Sequence, residues 1–297
     1  MIELRNLTKR FGASTAVDDL TCTFEPGRVT GFLGPNGAGK STTMLMALGV
    51  QRPTSGTALV AGRRYTDLRA PMHEVGALLD ARATHPARTG RNHLAALATS
   101  NGISSRRVDE VLELVGLTTV AGKRTGTYSL GMGQRLGIAG ALLGDPPILL
   151  LDEPVNGLDP SGITWIRTLL RDLAAEGRTV VISSHLMSEM ELTADHLVVV
   201  GRGRLIADTS LEDFVVGSAP ASVLVRVDRP DFAAALRIAG ATVLEEPNGS
   251  LLVSGMGADD VGRLALAERV AVSELRTHRA SLEEAFMAMT HESVEYR

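Results

Sequence analysis

The stretch Gly34-Pro35-Asn36-Gly37-Ala38-Gly39-Lys40-Ser41-Thr42 lies between an apolar run of strand character, Arg28-Val29-Thr30-Gly31-Phe32-Leu33, and an apolar run of helical character, Thr42-Thr43-Met44-Leu45-Met46-Ala47-Leu48. It follows the pattern G-x-x-x-x-G-K-S, and each fixed position has a physical reason. Gly37 and Gly39 carry no Cβ, so the backbone can curl and aim its N–H groups at phosphate oxygens. Lys40 brings a positive charge to β- and γ-phosphates, and the Ser41 hydroxyl is placed to ligate Mg²⁺. The helix that starts at about Ser41 turns the positive end of its dipole toward the same anion. A strand–loop–helix unit of this kind confines the chain to an α/β sheet fold that binds a nucleoside triphosphate. On its own it does not choose among a GTPase, a kinase and a transport ATPase.

The 297 residues allow one large domain and a small one. A net charge of −4 gives no electrostatic reason to expect nucleic acid, and 3% aromatic residues argue against a base-stacking platform. Cys22 is the sole cysteine, so no disulfide forms within the chain, and its apolar surroundings predict a buried thiol. The first residues, Met1-Ile2-Glu3-Leu4-Arg5-Asn6, lack a signal-peptide pattern. Apolar runs such as Ile148 to Leu151 and Leu197 to Val200 fall far short of the roughly 20 residues a membrane helix needs. The reading is a cytoplasmic, soluble chain whose membrane role, if any, requires a partner.

Along the chain, residues 2–33 read as short strands, with Pro26-Gly27 as a turn. Leu59 to Gly62 is a further strand. Residues 91–116 turn helical in two stretches separated by Gly102, and Ile138 to Leu143 is helical again. Buried strands at Ile148–Leu151, Thr179–Ser183 and Leu197–Val200, with a helix at Ile163–Ala175, predict a parallel sheet covered on both faces. A linker is expected at Gly217-Ser218-Ala219-Pro220. Beyond it the order β-α-β-β-α-β predicts a ferredoxin-like α+β unit, with an Asn248-Gly249 turn. Ser281-Leu282-Glu283-Glu284 is a capping box opening a last helix to about Thr290.

A phosphate-loop enzyme needs a second acid on a neighbouring strand. Ile148-Leu149-Leu150-Leu151-Asp152-Glu153 supplies two, at the end of an apolar run. Side chains alternate along a strand, so the two carboxylates have different tasks. Asp152 is assigned to the Mg²⁺ shell, directly or through water, and Glu153 to general-base activation of the attacking water.

The order of these motifs resembles the ATP-binding subunits of ABC transporters over residues 1–217. Gly34 to Thr42 matches their phosphate loop without a gap. Tyr128-Ser129-Leu130-Gly131-Met132-Gly133-Gln134-Arg135 stands where their signature L-S-G-G-Q-x-Q-R belongs, Asn156-Gly157-Leu158-Asp159 matches the D-loop, and Ser183-Ser184-His185 the histidine switch. Phe11-Gly12 matches the adenine-stacking aromatic, usually tyrosine. The tail ending Ser281-Leu282-Glu283-Glu284-Ala285-Phe286 resembles the accessory domain of drug- and antibiotic-exporting members, including bacitracin-type and lantibiotic-immunity ATPases.

The resemblance implies a P-loop NTPase domain over 1–217, with a parallel sheet core, an antiparallel β subdomain and a helical subdomain at about 80–140, followed by an accessory α+β domain at 218–297. It implies ATP and Mg²⁺ as cofactors and a head-to-tail dimer with two ATP molecules at its interface. One subunit would give the phosphate loop, Asp152, Glu153 and His185. The other would give Ser129, Gly131 and Gln134 to the γ-phosphate, with Asp159 from the D-loop nearby. A separate membrane permease would dock on roughly residues 80–115, holding the chain at the inner face of the membrane. No nucleic-acid partner is implied.

Two departures stand out. Leu130 and Met132 replace a glycine and the glutamine of the signature, so the backbone at Leu130 must keep a negative φ. Asp80 replaces the glutamine that follows the strand Val75-Gly76-Ala77-Leu78-Leu79; it is placed to reach Mg²⁺ through water, or to change how the permease is sensed. The alternative within the fold is a soluble ABC-type ATPase of translation or DNA maintenance, but those carry fused halves or an inserted coiled coil, and no sustained heptads separate Lys40 from Asp152. A GTPase would need N-K-x-D, which the sequence lacks, and no lid or acceptor pocket of a kinase is recognisable.

Overall fold

The computed structural model describes every residue except Arg82, His185, 219–221, Pro230, Pro247, 279–280 and 291–297, and within these limits every side chain except those of Ser218, Ala288 and Thr290. The chain divides into two compact units, Met1–Ser210 and Leu211–Arg297.

In the first unit the elements run β1 (Ile2–Phe11), β2 (Ser14–Phe24), β3 (Arg28–Leu33), α1 (Lys40–Ala47), β4 (Ser55–Val60), α2 (Pro71–Glu74), β5 (Val75–Leu78), α3 (Gly90–Ser100), α4 (Ser105–Leu114), α5 (Leu130–Leu142), β6 (Ile148–Asp152), α6 (Pro160–Ala175), β7 (Thr179–Ser183), α7 (Met187–Thr193), β8 (His196–Gly201) and β9 (Arg204–Ser210). A six-stranded sheet has the order β5-β6-β7-β3-β8-β9. Its first five strands are parallel and β9 closes the edge antiparallel to β8. The residues of β7 are all buried, as are Ile148 to Leu151 of β6. Such strands have no solvent face and therefore read as unbroken apolar runs.

A second, antiparallel sheet has the order β2-β1-β4. Ile2, Leu4, Leu7, Val17, Leu20 and Phe24 enter a shared core with Met44, Met46 and Phe32. Here the expectation of short strands is corrected: β1 and β2 are 10 and 11 residues long. Register shifts within their pairing, with Asn6 at φ 48° and Asp19 at φ 55°, break the alternation and make one long strand look like two short ones. The helical segments α3, α4 and α5 fall within the expected 80–140 span or overlap its end. Yet α5 begins at Leu130, ahead of the predicted Ile138, because Gly131, Gly133 and Gly137 dilute its helical pattern. Cys22 is buried in β2, and burial, helped by Asp208, pushes its thiol up to about 12.

The second unit contains α8 (Leu211–Ser218), β10 (Ser222–Val227), α9 (Phe232–Ile238), β11 (Thr242–Glu245), β12 (Leu251–Ser254), α10 (Ala258–Ala267), β13 (Val272–His278) and α11 (Leu282–Thr290). The predicted linker is corrected in part: Gly217 and Ser218 end α8, while Ala219 and Pro220 lie outside the described residues. The four strands pair antiparallel in the order β11-β12-β10-β13, the ferredoxin-like arrangement. Val223, Val225, Phe232, Leu236, Val253 and Val261 form a core of its own. The capping box is reciprocal: Ser281 N–H donates to Glu284 Oε2 at 2.8 Å and Glu284 N–H to Ser281 Oγ at 3.2 Å.

Candidate functional site

Because β3, β5, β6 and β7 are parallel, their C-terminal ends meet at one edge of the sheet, the usual place for a ligand in an open α/β sheet. The loop after β3 leads into α1 through Gly39, which sits at φ 98° as the N-cap; a Cβ there would be 2.3 Å from the Ala16 carbonyl oxygen. Only glycine satisfies both demands. Within the loop, Ala38 N–H donates to Pro35 O at 3.1 Å, and Asn36 and Gly37 form the intervening turn. Thr42 follows in the first turn of α1.

Lys40 is the first residue of α1 and is buried. Its Nζ donates to the carbonyls of Gly34 and, at 3.3 Å, Pro35. Burial lowers its pKa, while the nearby charges of Glu153 and Asp152 oppose the shift. An ammonium disfavoured by burial and favoured by each negative group beside it is a receptor for an anion.

Ser41 Oγ donates to Asp152 Oδ2 at 2.7 Å. The other oxygen, Oδ1, accepts from Ser183 Oγ on the neighbouring strand, where Asp152 and Ser183 are register partners. The pair of oxygens at 2.7 Å is close to the separation of about 2.9 Å between adjacent ligands of an Mg²⁺ octahedron with bonds of about 2.0–2.1 Å. These hard oxygen donors fit that ion.

The strand stops at Asp152, and Glu153 turns to φ 52°. A non-glycine residue pays about 1–2 kcal/mol for this left-handed conformation, so its surroundings must impose it. They do so from both sides: Glu153 N–H donates to Ser183 Oγ at 3.1 Å, and Glu153 O accepts from Gln134 Nε2 at 2.9 Å. Strand alternation, expected to give the two acids different tasks, therefore stops at Asp152, and the chain turns at Glu153 instead.

The signature lies at the start of α5. Ser129 is the N-cap, accepting from Met132 N–H at 3.2 Å, and Leu130 keeps a negative φ as required. Gly131 is explained within its own chain: a Cβ there would be 2.7 Å from Gly157 O, the backbone of the D-loop. Asp159 ends that loop as the N-cap of α6, accepting from Gly162 N–H at 3.0 Å and Ser161 Oγ at 2.8 Å. The hydrogen bonds from Ser161 and then Gly162 hold its carboxyl below the ordinary aspartate range.

Gln134, expected from the resemblance to reach ATP on a second subunit, is 3% exposed within its own chain, and its amide donates to Glu153 O of that chain. Trp165 and Arg135 are a further addition. The Arg135 guanidinium lies 4.5 Å over the Trp165 ring and donates to Val115 O at 2.9 Å, tying α5 to α6 and to the end of α4. Trp165 reads in sequence as simple helix-face packing, and nothing local marks its partner.

Phe11 ends β1 and is 48% exposed, with Lys9 Nζ 4.9 Å from its ring centroid, so it is not a core aromatic. Asp80 is exposed and follows β5, whose Leu78 is opposite Leu151, so it shares the sheet edge with Asp152. His185 lies outside the described residues; Ser184 before it accepts from Leu186 N–H at 3.0 Å. Next to the signature, Ala81, Thr84, Pro86, Tyr128, Ser129 and Leu130 line a groove of about 420 Å³.

A phosphate loop, an acidic strand end and a helical insertion on this sheet define a P-loop ATPase of the cassette type. Comparison with known proteins agrees. The family described as ABC transporter matches residues 17–156, and a domain of unknown function matches 221–283. An uncharacterized ABC transporter ATP-binding protein of Bacillus subtilis is 37% identical over 299 residues, spanning 99% of this chain and 97% of that one. The bacitracin transport ATP-binding protein BcrA of Bacillus licheniformis is 42% identical over 211 residues, covering 70% and 69%. A dimeric ATP-binding cassette solved in a post-hydrolysis state with ADP and Pi superposes with a TM-score of 0.65 at 25% identity, covering 71% of this chain and 99% of that one. This chain belongs to the ABC transporter ATP-binding proteins, and it is an ATPase of that family.

Proposed function

We propose that this chain hydrolyses ATP to drive a separate membrane permease that exports drugs, antibiotics or peptides, and that it works as a head-to-tail dimer. The observation that carries the reading is the convergence of Lys40, the Ser41–Asp152 pair and the doubly held Glu153 on one sheet edge. The phosphate-loop amides and Lys40 bind the β- and γ-phosphates, and Phe11 stacks on adenine. Ser41 and Asp152 hold Mg²⁺, with Asp80 at the same edge as an outer neighbour. Mg²⁺, when bound, neutralises charge on the phosphate oxygens. Glu153 takes the proton of the attacking water, and His185 orients that water toward the γ-phosphate. Ser129 and Gly131 close over the partner subunit's nucleotide, and Asp159 shapes the D-loop between the sites. Closure of two half-sites excludes water and presents preorganised donors to the transferring phosphoryl group.

Among the described residues no helix is long and apolar enough to cross a membrane. We place the chain at the inner face of the membrane through the permease, which docks on residues 80–115 and the groove lined by Ala81, Thr84 and Pro86. Export of antibiotics or peptides rests on likeness to BcrA and to the lantibiotic transport ATP-binding protein SrtF. These relatives are transport proteins, and no observation favours a role in translation or DNA maintenance.

The test is purification of the tagged full chain from detergent-solubilised membranes of its own host. A polytopic membrane protein is expected to co-purify and to alter the ATPase rate. Recovery with ribosomes or DNA in place of a membrane protein would overturn the reading. A second expectation concerns the small unit, where no chemistry is recognisable among the described residues. A chain ending at Ser210 keeps the whole core of the first unit and should retain basal hydrolysis. A folded but inactive truncation, checked by circular dichroism and phosphate release, would show that residues 211–297 complete the site or the dimer.

A further inference from the structure

We infer that Gln134 is a positioning residue for hydrolysis, through which the signature helix of each subunit sets the backbone of that subunit's own Glu153. The inference rests on the reading of Glu153 as the general base. Glu153 holds a left-handed backbone that a residue with a side chain adopts only at a cost. Its N–H is held by Ser183, on the adjacent strand of the same sheet, which is fixed by the register of β6 and β7. Its carbonyl is held by Gln134, which belongs to a different layer, the helix α5. The two hydrogen bonds grip opposite sides of one residue, and the second comes from the helix that the dimer reading brings to the partner's nucleotide.

The geometry of α5 gives the contact its meaning. Ser129 caps the helix and Gln134 lies five residues on, about 7.5 Å along the axis at about 1.5 Å per residue. Arg135, the next residue, ties the same stretch to Val115 and Trp165. In the head-to-tail dimer Ser129 meets the partner's ATP, while Gln134 on the same helix holds the chain's own base. A shift of α5 on engaging one nucleotide is therefore delivered to the carbonyl beside the base of the other site. The buried amide of Gln134 links the two sites within one chain, without touching either nucleotide.

Gln134→Leu keeps similar volume and removes the donor; Gln134→Met is a second variant of matching length in case the first does not fold. Full-length protein is measured for ATP affinity, for single-turnover hydrolysis at saturating ATP, and for ATP-dependent dimerisation in a Glu153→Gln background. Affinity and dimerisation should stay within about twofold while the hydrolysis rate falls about 10–100-fold, the scale of a slightly misplaced catalytic group. An unchanged rate in a folded variant overturns the inference. So does a loss that appears as weak ATP binding or a lost dimer, which would make Gln134 a nucleotide contact. Glu153→Gln alone separates the two levels. If it turns over normally, the base assignment falls and the inference with it; if it is inactive while Gln134→Leu is normal, only the positioning role falls.

Discussion

Glu153→Gln is expected to bind ATP, stop hydrolysing it and accumulate as a closed dimer. The amide has nearly the shape of the carboxylate, so the substitution removes basicity and little else. The two hydrogen bonds that hold residue 153 run to its main-chain N–H and carbonyl, and they survive any change of side chain. The bend at φ 52° is therefore retained, and the loss is one of proton acceptance. General-base catalysis contributes about 10²–10⁴-fold, and turnover should fall by that factor. The substitution also removes one of the two negative charges that support the Lys40 ammonium, which leaves Lys40 more dependent on phosphate. ATP that is bound and not consumed keeps the subunits together. Phosphate release and size-exclusion chromatography with ATP read both effects, and near-normal turnover would remove Glu153 as the base.

Lys40→Ala is expected to lose most of its ATP affinity. Lys40 is buried with its ammonium engaged by the loop carbonyls of Gly34 and Pro35, and burial has already removed much of its hydration. A phosphate oxygen arriving there meets a cation that has little water to give up. Truncating one partner of such a hydrogen-bonded charge pair costs about 2–5 kcal/mol, or about thirtyfold and upward in Kd. Without ATP, the variant should be folded, since the substitution removes a buried charge and opens no apolar core. The thermal shift produced by ATP should therefore collapse while the ligand-free transition persists. An unchanged Kd by isothermal titration would contradict the assignment of residues 34–42 to phosphate.

The pieces that were legible in the sequence are those whose physics is local. Gly39 must reach φ 98° within the loop itself, and Lys40 and Ser41 follow it on one helical turn. Leu149 to Leu151 are apolar because their strand has no wet face, and the acids begin where the strand ends. The order β-α-β-β-α-β of the second unit was readable for the same reason, since each short element carries its own turn signals. The long strands β1 and β2 were not, because their bulges interrupt the alternation that marks a strand.

The order of residues is thus enough to say that this chain binds a triphosphate at a strand–helix junction, has an acidic strand end to serve it, and carries a signature resembling that of a two-subunit site. How those parts hold one another depends on the folded chain. Ser183 reaches Asp152 and Glu153 because β6 and β7 lie side by side; Gln134 reaches Glu153 O because α5 packs beside the end of β6; Gly131 abuts Gly157; and Arg135 finds Trp165. A hydrogen bond between residues 19 or 30 positions apart leaves no periodicity, spacing or composition for a reader of the sequence to detect. It exists only once the sheet has brought the partners within about 3 Å.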